Sequence, residues 1–152
     1  MGPKTKEATA AAIVRGRVAA DPSTQAVALG GTVPQVKPTP AGNIQADAAA
    51  AGVPPTVALA IANIESRLNP NADNPNSSAH GLFQLLDSTR EQYSPGADRG
   101  DVAAQSKAGV AYIADSYKAL RQSLGREPQP HEIYMAHLFG QAGSQAILKA
   151  PD

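Results

Sequence analysis

Cysteine, net charge and long apolar runs are all missing from this sequence. The 152 residues contain no cysteine, which excludes disulfides, thiolate zinc sites and thiol nucleophiles. Thirteen basic and thirteen acidic side chains cancel, so no overall field draws the chain to nucleic acid or to an anionic membrane. No apolar stretch approaches the roughly 18–20 residues that are needed to span a bilayer. We therefore expect no nucleic-acid partner and no membrane span.

The signatures of several catalytic classes are also missing. There is no Gly-rich phosphate loop with its lysine, and no serine stands on a strand-turn-helix elbow. The three histidines, His80, His131 and His137, are scattered without a His-x-x-x-His pair, and no carboxylate is placed to complete a metal triad. We expect the side chain of His80 to be exposed. The sequence predicts neither a bound metal nor a cofactor.

The first 41 residues differ in composition from the rest of the chain. Short Ala/Val runs are broken there by a Gly-Gly pair at 30–31 and by prolines that include Pro34, Pro38 and Pro40. A marginal helix over Lys4–Val18 is the one element that this stretch favours, and the remainder cannot bury enough apolar area to fold alone. We predict an extended, low-complexity arm over residues 1–41, followed by one domain over 42–152.

Helix signals begin directly after this arm. Asn43 is suited to cap a helix over 44–51 that ends at Gly52. The Pro-Pro pair at 54–55 fits the first turn of a second helix, which runs to about Arg67. A polar, turn-rich loop then covers residues 69–78.

The second half of the chain continues in the same way. Ser88 and Glu91 have capping-box spacing and favour a short helix. Asp101 is suited to cap a long helix that ends at Gly125, and apolar residues recur along it at helical spacing. Tyr112 shares this helix, and we expect it to pack in the core. Pro130 opens a further helix, with a last one over 142–149.

Gly140 is expected to separate these last two helices, since the helical pattern runs from Pro130 through Phe139 and stops there. No stretch of useful length alternates apolar and polar residues with the period of two that a half-buried strand requires. The fold class predicted from this pattern is all-α.

The sequence "ANIESRLNP" over 62–70 places a glutamate at the end of an apolar helix pattern. Glu65 follows a run of apolar side chains: Val57, Leu59, Ala60, Ile61 and Ile64. Its carboxylate is therefore either a solvated charge at the helix end or a group that is kept out of water. Burial of the second kind raises the pKa of a carboxyl group and prepares it for acid catalysis.

A second unusual stretch, "SSAHGLFQLLDST", follows at residues 77–89. Gly81 stands between a polar loop and an apolar run and allows a close approach of the backbone. Gln84 interrupts the apolar run with a long amide. The amide either points to solvent or faces a cleft and hydrogen-bonds a polar ligand such as an N-acetyl sugar.

Together, these two stretches resemble the soluble lytic transglycosylase (SLT-type) family over about residues 43–150. Its leading motifs are Glu-Ser and Gly-Leu-Met-Gln, and this chain has Glu65-Ser66 and Gly81-Leu82-Phe83-Gln84. The resemblance implies a lysozyme-like helical fold. It also implies cleavage of the β-1,4 bond between N-acetylmuramic acid and N-acetylglucosamine in peptidoglycan.

The resemblance makes Glu65 the catalytic acid and base, with Ser66, Ser78, Gly81 and Gln84 as substrate-binding residues. Ordinary glycosidases need a second carboxylate, for which the sequence offers four loop or cap residues: Asp73, Asp87, Asp98 and Asp101. A transglycosylase works without one, because the same glutamate activates the muramoyl 6-hydroxyl. The product is then a 1,6-anhydro sugar.

The sequence departs from the family in the stretch "IYMAHLFGQAGS" at 133–144. Members of the family often carry Ala-Tyr-Asn-Ala-Gly there, with the tyrosine near the catalytic glutamate. Aligning the glycines puts His137 at the tyrosine position, whereas Tyr134 lies one helical turn earlier on the same face. We count both as substrate-binding residues, one of which hydrogen-bonds Glu65 or orients the sugar, and we favour Tyr134 for this role. The variant resembles a form found in phage-borne and some bacterial members.

Three activities are consistent with this pattern. An active lytic transglycosylase is favoured, and a hydrolysing muramidase or a catalytically silent cell-wall-binding or structural virion protein are the alternatives. Peptidoglycan glycan strands are the expected partner. The first residues lack the apolar core of a secretory signal. We therefore expect a virion-associated enzyme, tethered through residues 1–41 to virion or ejection proteins. An enzyme exported by a bacterial secretion system is the competing hypothesis.

Overall fold

The structure is a computed structural model that describes residues 37–149, and its regular elements there are five helices. They are α1 (Pro40–Ala51), α2 (Pro55–Ser66), α3 (Asp87–Tyr93), α4 (Val102–Leu124) and α5 (Pro130–Leu148). No strand occurs within 37–149, so the all-α prediction is confirmed. The helix predicted over Lys4–Val18 lies outside the described residues.

The start of α1 differs from the prediction. We expected the helix to follow Asn43, but it begins at Pro40, because the Thr39 hydroxyl accepts a hydrogen bond from the Gly42 N–H at 3.0 Å. A Thr-Pro pair at the cap and first helical position supplies both a side-chain acceptor and a helical φ angle. The predicted end at Gly52 is confirmed, where a left-handed φ of 71° stops the helix.

Helix α2 ends in a strained turn directly after the Glu65-Ser66 pair. Arg67 and Leu68 both take left-handed φ angles, 56° and 60°, which are uncommon outside glycine. Their N–H groups bond back to the carbonyls of Asn63 and Ala62, respectively. The chain therefore leaves the helix abruptly, and such strained positions are concentrated at functional sites.

The capping box predicted from Ser88 and Glu91 is wrong. Helix α3 begins at Asp87, before Ser88, and the hydroxyl of Ser78 accepts from the Asp87 N–H at 3.2 Å. By contrast, the cap predicted for α4 is confirmed, because the Asp101 carboxylate accepts from the N–H groups of Ala103 and Ala104. Gly125 ends α4 with a φ of 66°, as expected.

A break divides α5 at Gly140, as the sequence predicted. Its φ of 73° and ψ of 168° lie far from helical values, and the helix resumes and ends at Leu148. The N-terminus of α5 carries a capping box that sequence reasoning missed, in which Gln129 and Glu132 exchange side-chain bonds with each other's backbone. The guanidinium of Arg126 also holds the Glu132 carboxylate, and together these contacts lower the pKa of Glu132 to about 2.

Helix α4 lies at the centre of the described region and packs against α1, α3 and α5. The largest fully buried apolar side chains come from several of these elements and from the loop before α3: Ile44, Ile61, Leu82, Phe83, Val110, Ile113, Leu120 and Ile133. Gly109 of α4 lets the Phe83 ring approach the helix backbone, since a Cβ at this position would lie 2.0 Å from the ring. The loop before α3 is thereby anchored on α4. Within residues 37–149, every helix is too short or too polar to span a membrane.

Candidate active site

A cavity of about 340 Å³ opens where the end of α2 meets α5 and the loop before α3. Its walls are Glu65, Gln84, Leu85, Leu86, Thr89, Tyr112, His137, Leu138 and Gly140. Three of the residues singled out in the sequence thus share one cavity, although they are far apart in the chain: Glu65, Gln84 and His137.

The carboxylate of Glu65 is largely removed from water. Its side chain is 15% exposed, and this burial raises the pKa of Glu65 above its usual range. The Tyr134 hydroxyl near Glu65 partly offsets the effect, because a hydrogen bond to the anion lowers the pKa. Of the two interpretations of Glu65, the structure agrees with the one in which the carboxylate is kept out of water.

Tyr134 and His137 meet Glu65 from the same face of α5. Their rings stack with centroids 6.4 Å apart, as their spacing in the sequence indicated. His137 Nε2 lies 3.8 Å from Glu65 Oε1, which is too long for a hydrogen bond. Burial and the nearby carboxylate raise the pKa of Tyr134, so its hydroxyl stays protonated and can donate to Glu65.

The imidazole of His137 is buried and neutral. Its side chain is 6% exposed, and desolvation lowers the pKa to about 4, although the nearby carbonyl of Phe83 opposes the shift. Tyr112 packs edge-on against the ring at 5.7 Å, and Tyr93 packs edge-on against Tyr112 at the same distance. This series of rings fixes the orientation of His137 in the cavity wall.

Tyr112 has a larger place in the site than its sequence position indicated. We expected a packing role from its place among the apolar residues of α4, and its ring does pack there. It also lines the cavity that contains Glu65. Helical spacing alone cannot distinguish the two, because a residue at the edge of a buried stripe faces both the core and the cleft.

The amide of Gln84 joins two parts of the loop before α3 and also lines the cavity. Its Nε2 donates to the carbonyls of Ala72 and Gly81, each at 3.0 Å. Two carbonyl acceptors fix which end of the amide carries the hydrogens. Gln84 itself has a left-handed φ of 49°, which turns its side chain into this position. The solvent-pointing interpretation of Gln84 is therefore wrong.

Gly81 permits the close approach that was predicted, although the approaching group is a side chain of this protein. Its φ is 76°, and a Cβ here would lie 2.4 Å from Oε1 of Gln105. The glycine does not line the cavity that contains Glu65. A direct contact between Gly81 and substrate stays a prediction.

Ser66 and Ser78 also lie outside the cavity wall. The Ser66 hydroxyl donates to the carbonyls of Leu82 and Ala62, at 2.9 and 3.0 Å. The Ser78 hydroxyl accepts from the start of α3, as described above. Substrate contacts by the two serines stay predictions, whereas their structural contacts hold the loop against α2 and α3.

The charged residues of the loop form their own network. His80, which we expected to be exposed, has a side chain that is only 11% exposed, and its Nδ1 lies 2.7 Å from Asp73. Asp73 and Asp87 both lie within 4 Å of the Arg99 guanidinium. The exposed-side-chain interpretation of His80 is therefore wrong.

None of the four candidate second carboxylates lines the cavity with Glu65. Asp73 and Asp87 belong to the loop network, Asp98 accepts from the Gly100 N–H, and Asp101 caps α4. The described residues also hold no group of three His, Asp or Glu side chains that could bind a metal ion. Within residues 37–149, Glu65 is the one carboxylate of the cavity wall.

Comparison with protein families gives an independent view of this arrangement. The model of the transglycosylase SLT domain matches residues 42–142, which is more than half of the chain. The matched region begins two residues after the start of α1 and includes every residue of the cavity wall. The helical domain, with Glu65 in its cavity wall, therefore belongs to the SLT transglycosylase family, and the chain is a lysozyme-like lytic transglycosylase, a lyase that acts on peptidoglycan.

Proposed function

We propose that Glu65 is the sole acid and base in cleavage of the bond between N-acetylmuramic acid and N-acetylglucosamine. The observation that carries this proposal is the cavity wall, in which Glu65 has no second carboxylate beside it among the described residues. Retaining and inverting glycosidases both require such a pair. A non-hydrolytic reaction requires one group that first gives and then takes a proton.

In the first step the protonated carboxyl of Glu65 gives its proton to the glycosidic oxygen, and the bond from this oxygen to the muramoyl C1 breaks. In the second step the resulting carboxylate takes the proton of the muramoyl 6-hydroxyl, and O6 closes onto C1. The proton lost by Glu65 is thereby restored, no water is consumed, and the muramoyl product ends in a 1,6-anhydro ring.

The surroundings of Glu65 suit both halves of this cycle. Burial raises its pKa, which favours the protonated carboxyl group that the first step requires. The Tyr134 hydroxyl supports the anion that forms after the proton has left. The buried His137 contributes no competing positive charge near pH 7, because its pKa is about 4.

Mass spectrometry of peptidoglycan digested by the purified protein tests this proposal. Muropeptides with 1,6-anhydro ends support it, whereas reducing ends would identify a hydrolysing muramidase. Sacculi that bind the protein without releasing any fragment would identify a silent cell-wall-binding protein. Digestion in water enriched in ¹⁸O adds a second readout, because only hydrolysis introduces the label into the product.

We propose further that the enzyme is virion-associated and opens the cell wall during phage genome entry. Support comes from the sequence "YMAHLFG" at 134–140, which resembles phage-borne members of the family. The low-complexity composition of residues 1–41 suits a tether to a particle or to an ejection protein. The competing proposal is an enzyme of a bacterial secretion apparatus.

Protein mass spectrometry of purified particles tests whether the enzyme is virion-associated. Peptides from residues 42–142 should co-purify with infectious particles through a density gradient, and particles grown without the chain should eject DNA poorly through an intact wall. Finding the chain only in the secretion apparatus of an uninfected bacterium would support the competing proposal instead.

A further inference from the structure

One buried amide connects three separate segments around the site, and sequence reasoning missed it. Gln105 lies in the first turns of α4 and is 7% exposed. Its Oε1 accepts from the Leu82 N–H at 3.0 Å, and its Nε2 donates to the carbonyls of Pro70 and Arg99, both at 2.9 Å. Both N–H hydrogens of the amide are therefore donated to backbone carbonyls.

Leu82 links Gln105 to helix α2, which bears the catalytic carboxylate. Its N–H bonds Gln105, and its carbonyl accepts from the hydroxyl of Ser66 at 2.9 Å. Ser66 is the last residue of α2 and directly follows Glu65. A short series of hydrogen bonds thus runs from α4 through a fully buried residue to the helix end that bears the catalytic carboxylate.

The same amide fixes the opposite wall of the cavity. Gly81 packs directly on the Gln105 side chain, and the carbonyl of Gly81 accepts from Gln84. Gln84 also bonds Ala72, in the loop that Gln105 holds through Pro70. Movement of the Gln105 amide would therefore shift both Gln84 and the end of α2.

We propose that Gln105 is a positioning residue for the lyase reaction, which sets the distance between Glu65 and the wall formed by Gln84. The inference rests on the proposed role of Glu65. Gln105 touches no substrate and acts through Leu82 and Gly81. A displacement of about 1 Å between catalytic groups can reduce turnover by about 100-fold, which is why such a residue matters to the rate.

Gln105→Glu is the sharpest test, because it keeps the shape and the acceptor but removes both donors. Its carboxylate would face the carbonyls of Pro70 and Arg99, so the loop should move away and admit water to the cavity. We expect kcat on soluble glycan strands to fall about 10- to 100-fold, with KM changed less than about threefold. The alkaline limb of the pH–rate profile should move to lower pH, because a better-hydrated Glu65 loses its proton more easily.

Two further variants keep the test informative if Gln105→Glu does not fold. Gln105→Asn retains the donors and the acceptor on a shorter side chain, so we expect it to recover part of the lost rate. Gln122→Glu is the matched control, since it makes the same exchange at an exposed position of the same helix. It should leave kcat, KM and the pH profile unchanged.

The proposal is overturned if folded Gln105→Glu keeps the wild-type kcat and pH profile. It is also overturned if all loss of rate follows the folded fraction, measured by circular dichroism at the assay temperature, because Gln105 would then only stabilise the fold. Analysis of the wild-type products separates this outcome from failure of the proposed function. Reducing ends would refute the anhydro-forming role of Glu65 whatever the Gln105 variants do.

Discussion

His137 Nε2 and Glu65 Oε1 face each other across 3.8 Å without forming an ion pair. The separation exceeds a hydrogen bond, and burial lowers the pKa of His137 to about 4, so the imidazole is neutral near pH 7. A protonated histidine here would stabilise the Glu65 anion and weaken the carboxyl as an acid. Because the buried imidazole is neutral, it does not counteract the burial that raises the pKa of Glu65.

Glu65→Gln should abolish lysis of purified sacculi. The amide cannot donate and recover a proton, and general acid–base catalysis typically contributes about 10²–10⁴-fold. The helical circular dichroism spectrum should stay unchanged. Glu91→Gln is a suitable control, because an amide oxygen there can still accept from the Gly96 N–H. Substantial lysis by the Glu65 variant would refute its catalytic assignment.

Tyr134→Phe should reduce turnover by one to two orders of magnitude, at about 1.4 kcal/mol for each tenfold. The variant keeps the ring that stacks on His137 but removes the hydroxyl that lowers the pKa of Glu65. Because that hydroxyl lowers the pKa of Glu65, its loss should move the alkaline limb of the pH–rate profile to higher pH. This direction is opposite to the one expected for Gln105→Glu.

His137→Phe provides the comparison for Tyr134→Phe. Its Nε2 makes no hydrogen bond to Glu65 at the observed distance, so we expect the smaller loss of turnover. If His137→Phe proves the more damaging change, and Tyr134→Phe is close to wild type, the histidine has taken over the role of the family's tyrosine.

Acid should destabilise the fold through His137. The imidazole titrates near 6.5 in the unfolded chain and at about 4 in the folded one, so the unfolded chain binds more protons between these values. The neutral His137 therefore contributes to the free energy of unfolding in full above pH 6.5, and this contribution is lost as the pH falls towards 4. A shift of this size corresponds to about 3 kcal/mol.

Urea denaturation at pH 7 and pH 4.5 measures this loss. His137→Phe should lose less stability between the two pH values than wild type does, because it has no imidazole to protonate. Equal losses would show that other groups carry the acid sensitivity.

Gly109→Ala should destabilise the domain by about 1–3 kcal/mol, which is typical of an overpacked core. The added methyl group would meet the ring of the fully buried Phe83 at 2.0 Å, so the ring or the helix must shift. Urea denaturation measures the effect. Adding Phe83→Leu should make the pair less destabilised than the sum of the two single changes. Strict additivity would contradict the contact.

A shortened chain that begins at Pro38 should melt cooperatively and digest free peptidoglycan about as well as the full chain. It keeps Thr39 and therefore the cap of α1. A chain that begins at Ala41 lacks this cap and should be about 1 kcal/mol less stable. If the chain from Pro38 is insoluble or inactive, the predicted division near residue 42 is wrong.

Local signals in the sequence were sufficient where a helix end depends on neighbouring residues. Gly52, Gly125 and Gly140 each take the left-handed φ that their positions predicted, and Asp101 caps α4. The start of α3 could not be read in this way, because its side-chain partner, Ser78, comes from across a loop. Such a contact leaves no spacing in the local sequence.

The residues of the site likewise divide into those that local motifs predicted and one that depends on distant loops. Glu65, Gln84 and the α5 pair were found because their motifs resemble a family. Gln105 was missed because a glutamine among alanine, serine and lysine is typical of an exposed helix face. Its burial becomes apparent only when the loops that contain Pro70 and Arg99 fold back over α4.

The two hydrogen bonds that Gln84 donates to its own loop have a consequence for inhibitor design. Both Nε2 hydrogens are committed to Ala72 and Gly81, so the amide can offer a ligand only its Oε1 oxygen. An inhibitor of this cleft should therefore bring a hydrogen-bond donor to that oxygen, such as the N–H of an acetamido group. A compound that presents an ester or ether oxygen there would bury two acceptors against each other and lose affinity.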